Sequence, residues 1–113
     1  MRKMSNAIRD WYESARSEAV FEEFEDTMNE LAVAEGLLYS GEYSTQNGNG
    51  MYEVFLANSS KVDGWENMNY GNSVVTEYDH VDHCEELIVH GGKATAKKYF
   101  SEILAKHKEE LGV

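Results

Sequence analysis

The chain has no proline among its 113 residues, one cysteine, and ten basic residues against 21 acidic ones. Each scarcity excludes something. Without proline, and without any low-complexity stretch, there is no Pro-rich spacer of the kind that separates domains. The lone Cys84 rules out an internal disulfide framework and fits a reducing compartment, so a cytoplasmic location is expected. The longest apolar runs, Leu31 to Ala34 and Val54 to Ala57, fall far short of the ~20 residues a membrane span needs. The start, Met1-Arg2-Lys3-Met4-Ser5-Asn6, has no apolar run behind it, so a secretory signal is not expected. Asn58-Ser59-Ser60 matches the N-glycosylation pattern and reads as chance in that context. The shortage of bases leaves a net charge of −11 and a pI near 4.7. Direct binding to nucleic acid or to anionic lipid needs a basic footprint and is therefore not expected.

What is present points to one α+β domain over residues 1–113. Ser5 to about Glu35 has no glycine and many good helix formers, and Gly36 stands where a helix-ending glycine belongs. Ile8, Trp11, Tyr12, Ala15 and Ala19 form one apolar stripe; Val20, Phe21, Phe24, Met28 and Leu31 form a second, nearly opposite. One straight helix on one core does not explain both. The pattern predicts a kink or two helical pieces near Ser17, or a homodimer using the first stripe. Leu37–Thr45 and Met51–Ala57 bracket Gln46-Asn47-Gly48-Asn49-Gly50, a hairpin with Asn-Gly turn chemistry. Asn58 to Asn72 reads as a loop holding Trp65, Met68 and Tyr70, and Ser73–Tyr78 as a third strand. Cys84–His90 reads as a fourth strand or as part of a short helix from Asp82, and Lys93–Leu111 as a C-terminal helix. The expected order is a helical region, an antiparallel sheet of three or four strands, and a helix.

The charge is concentrated. Asp10 to Glu35 carries nine acids against Arg16, and Gly36 to Gly92 carries nine against Lys61. Glu22, Glu23, Glu25, Asp26 and Glu30 are expected to form a solvated face opposite the second stripe, with Glu77, Asp79 and Asp82 as another patch. Such faces serve solubility, or they imitate phosphates for a basic partner. A helix rises about 1.5 Å per residue and duplex DNA carries a charge about every 1.7 Å, so the spacings are comparable. Among the aromatics, Trp65, Tyr70 and Tyr78 are the candidates for a protein-binding face, the alternative being lids over a sheet edge.

The cluster His80-Val81-Asp82-His83-Cys84, with Glu85, Glu86 and His90 nearby, has zinc-ligand chemistry. It matches only a fragment of the HxHxDH pattern of metallo-β-lactamases, so no bound metal or cofactor is expected. Cys84 beside histidines is also a conceivable thiol nucleophile, although a lone cysteine is more often a small buried hydrophobe. His90-Gly91-Gly92-Lys93-Ala94-Thr95 lacks P-loop spacing and reads as a turn into the last helix.

In size, acidity, absence of proline and helix–sheet–helix order, the chain resembles small acidic inhibitors encoded by phages or mobile elements, of the anti-CRISPR and anti-restriction type. It is similar in the same outline to acidic immunity proteins that neutralise nuclease toxins. The resemblance implies a non-catalytic protein that blocks a basic surface of a nucleic-acid-processing or defence protein, such as a CRISPR effector or restriction enzyme, in the host cytoplasm. The alternatives are a small hydrolase or metal-binding protein using His80, Asp82, His83 and Cys84, and an oligomeric structural module.

Overall fold

The computed structural model describes residues 18–44, 51–78, 86–87 and 90–113. The second apolar stripe becomes α1 (Glu18–Ala34), which ends where Gly36 takes a positive φ of 74°. The Gly36 amide donates to the Val33 carbonyl and the Glu35 amide to that of Ala32, satisfying carbonyls the helix leaves open. The chain then forms β1 (Leu37–Ser44), β2 (Met51–Asn58) and β3 (Val74–Tyr78), an antiparallel sheet in the order β1-β2-β3. It finishes in α2 (Lys93–Leu111), capped by Gly112 in the left-handed region. The architecture is α+β: two helices and a three-stranded antiparallel sheet among the described residues. Glu86, Leu87 and His90 are helical, so these residues follow the helical alternative rather than a fourth strand. The predicted break near Ser17, the first stripe up to Ala15, the Asn-Gly turn and His80–Cys84 lie outside the described residues.

Side chains alternate across a strand. On one face of β2, Tyr52, Val54 and Leu56 are buried and sit opposite Tyr43, Gly41 and Tyr39 of β1 and opposite Tyr78, Thr76 and Val74 of β3. That face carries the core. Phe24, Met28 and Ala32 of α1 and Ala96, Tyr99, Phe100, Ile103 and Leu111 of α2 complete it. Burying a side chain of this size contributes roughly 1.5–3 kcal/mol. The core is aromatic: Phe24 meets Tyr52 and Tyr99 edge to face at centroid distances of 5.7 and 6.2 Å, and Tyr78 meets Tyr99 at 4.6 Å. Tyr78, expected on the surface, is only 7% exposed. Its register position opposite Tyr52 places it on the helix-covered face.

A second correction concerns Glu25. It does not lie on a solvated face but is half-buried between α1 and the sheet, where it accepts a hydrogen bond from the Tyr52 hydroxyl. The Tyr39 and Tyr52 hydroxyls are hydrogen-bonded to each other. Gly41 lies beside them; a Cβ there would stand 2.9 Å from Tyr52 Cζ and overlap both hydroxyls. Its lack of a side chain makes room for the polar chain. Burial pushes the Glu25 carboxyl above its ordinary range, partly offset by the hydrogen bond from Tyr52.

Candidate binding face

The helices cover one face of the sheet, and the opposite face carries Glu42, Glu53 and Glu77. Register puts Glu53 directly opposite both Glu42 and Glu77, so one glutamate from each strand forms a row across the whole sheet. Neighbouring strands lie about 4.8 Å apart, so the row spans about 10 Å. Like charges directly opposite one another destabilise a sheet. Among the described residues no ion pair involves Glu42, Glu53 or Glu77.

The segment from Ser59 to Ser73 borders this face and is held by its own polar side chains. The Asn72 amide donates to the Asn67 carbonyl at 3.0 Å, the Asn69 amide N–H donates to Asn72 Oδ1 at 2.9 Å, and the Ser73 hydroxyl donates to the Asn69 carbonyl at 2.5 Å. Such side-chain bonds take the place of regular secondary structure in a compact loop. The loop presents a short 3-10 turn, Trp65–Asn67, followed by Tyr70. The Tyr70 ring packs edge to face on Phe55 at 5.3 Å, and its hydroxyl donates to Glu53 Oε2 at 2.5 Å. Tyr70 is pushed up to about 12 because its proton is held by Glu53, with Glu77 and Glu42 adding to the negative field. Tyr70 and Trp65 are 65% and 61% exposed, which is high for large aromatic side chains.

The residues proposed from sequence divide as follows. Trp65 and Tyr70 are exposed and Glu77 lies on the open sheet face. Glu22, Glu23, Asp26 and Glu30 are exposed on α1, which packs on the other side of the sheet, so they form a separate surface. Within that group, the Glu23 carboxylate lies beside Gly92 at the N-terminal end of α2, where a negative charge complements the helix dipole. The His90–Thr95 turn is thus a structural one, with the Thr95 hydroxyl donating to the His90 carbonyl at 2.6 Å. Asp79 and Asp82 lie outside the described residues. Glu42 and Glu53 were missed because acidity was read by proximity along the chain rather than across strands.

No group of three or more potential metal ligands occurs among the described residues. A cleft of about 260 Å3 between the loop and the end of α2 is lined by Asn58, Lys61, Asn72, Ser73 and Glu110. Its amides are engaged internally: Asn58 donates to the Leu111 carbonyl at 3.1 Å and accepts from Ser60. That clasp ties the end of β2 to the end of α2. No helix among the described residues is long and apolar enough to cross a membrane. No family model, no curated protein and no solved structure matches the chain.

Proposed function

We propose that the protein is a non-catalytic acidic binding protein that covers a basic surface of a nucleic-acid-processing protein, acting as an inhibitor by charge mimicry. The observation that carries this reading is the row Glu42–Glu53–Glu77, without an ion pair among the described residues, beside the exposed Tyr70 and on the sheet face bordered by the loop that also exposes Trp65. Three carboxylates at strand spacing offer a regular negative array, and two exposed aromatics supply the apolar anchors that binding faces favour. An arrangement that weakens the sheet is readily understood if it serves recognition. The acids of α1 supply long-range attraction, which speeds encounter and is screened over about 8 Å at physiological salt. The role fits the small acidic inhibitors that the chain resembles, whether their targets are defence enzymes or toxin nucleases.

The test is capture from a bacterial lysate on immobilised protein at low salt. Retained proteins should be nucleic-acid binders, should be released by duplex DNA or by salt, and should be lost when Glu42, Glu53 and Glu77 are changed together to Lys. A retained set indifferent to DNA, salt and charge reversal would sink the proposal.

A further inference from the structure

The pairing that builds the glutamate row also determines the state of the sheet's edge. The Ser59 amide donates to the Gly36 carbonyl at 3.1 Å, and this pair continues the β1–β2 register. Antiparallel strands alternate between hydrogen-bonded and non-hydrogen-bonded pairs. Leu38, Ser40 and Glu42 therefore direct their backbone groups to β2, while Tyr39, Gly41 and Tyr43 direct theirs away from it. Among the described residues no backbone hydrogen bond reaches those three on the open side. β1 is an edge strand of eight residues, LLYSGEYS, in unbroken register. It lacks the proline, lysine and bulge that usually protect an edge.

We infer that β1 is a docking edge that accepts an extended basic segment of the partner as a fourth strand, with lysine or arginine facing Glu42. The inference rests on the proposed binding to a basic partner and names the form that the partner's contact takes. Strand addition supplies main-chain affinity through the groups of Tyr39, Gly41 and Tyr43, while alternate side chains supply specificity. Charge decides the occupant. The row Glu77–Glu53–Glu42 ends at this edge, so the next position across the outer face borders a carboxylate that no cation among the described residues pairs with. Glu42 would face the incoming residue in a non-hydrogen-bonded pair, the closer of the two pair types. A second copy of this chain would bring another −11 to the edge and is disfavoured on the same ground.

The experiment follows the amides of Tyr39 and Gly41 by NMR and hydrogen exchange in the full chain. The probes are an eight-residue peptide alternating lysine and valine, its analogue N-methylated at alternate residues, and a glutamate–valine peptide. In the free protein both amides should exchange fast. The lysine–valine peptide should slow both by about ten-fold or more, with the methylated and glutamate peptides binding about ten-fold more weakly. Glu42→Lys should weaken the lysine–valine peptide by about three- to ten-fold. Equal binding of the methylated peptide would overturn strand addition while leaving attraction by charge in place. Tyr39 and Gly41 amides already protected in the free protein would overturn it as well, because the edge would then be occupied by this chain or a second copy. Absence of binding by the lysine–valine peptide at about 1 mM, the weak end of the affinity scale, would also overturn it.

Discussion

Replacing Gly41 with alanine tests whether the packing of the two buried tyrosines governs this strand. Gly41 does not have a positive φ, so alanine adopts its backbone without strain. By intrinsic preference the change would then stabilise the strand by about 0.5–1 kcal/mol. Space opposes it. The new methyl would overlap the Tyr39 and Tyr52 hydroxyls and stand 2.9 Å from Tyr52 Cζ. Tyr52 is fully buried against Phe24 and cannot swing into solvent. Overpacking costs about 1–3 kcal/mol, and displacing a buried hydroxyl from its partner costs a further ~1–3 kcal/mol. Net of the strand preference, Gly41→Ala should destabilise by about 2–4 kcal/mol. In urea, with a slope of about 2 kcal/mol per molar, the midpoint should fall by about 1–2 M. In a Tyr39→Phe/Tyr52→Phe background the same substitution should cost roughly half as much, since residues in contact are not additive. A midpoint that is unchanged or raised in the wild-type background would refute the reasoning.

Glu25→Gln removes a buried carboxyl whose proton affinity is raised by desolvation. A raised carboxyl stabilises the fold fully below its unfolded value, and that contribution is lost as pH rises through the folded one. Thermal midpoints should therefore favour Glu25→Gln increasingly as pH rises above the ordinary carboxyl value of about 4.3, and a gap that does not change with pH would contradict this. Glu77→Lys places a cation opposite Glu53 and should stabilise by about 0.2–1 kcal/mol, more at low salt than at high; urea titration at two ionic strengths checks it. Glu53→Gln should lower the Tyr70 transition from about 12 toward the ordinary tyrosine value, read by phenolate absorbance against a Tyr70→Phe control.

Periodicity made most of the fold legible. Tyr52, Val54 and Leu56 alternate with polar or outward neighbours and are buried as alternation requires. Lys93–Leu111 is helical over the range its apolar spacing indicates, with a kink at His107. Periodicity along one segment does not show which distant segment packs against it. Glu25 lies three residues from Glu22, so helical spacing groups the two on one face. Its environment is set by tyrosines 14 and 27 positions away, which no helical pattern reveals. The face of Tyr78 follows from its register partner Tyr52, which the sequence of β3 alone does not name. The glutamate row was nearly legible. A two-residue turn at Asn47-Gly48 pairs Glu42 with Glu53, which is the observed register. Adding Glu77 required the second pairing, and that is set by a loop whose length is not that of a tight turn.

The two faces of the sheet have different latitude for change. On the helix-covered side, Gly41, Tyr39, Tyr52 and Glu25 constrain one another so closely that single substitutions need compensation. On the other side, Glu42 and Glu77 project from a backbone whose bonds they do not make. Under selection by a partner that alters its own surface, the outer positions can be exchanged one at a time while the inner ones stay as a set. Lineages descending from such a chain would diverge on one side of three strands and remain nearly silent on the other.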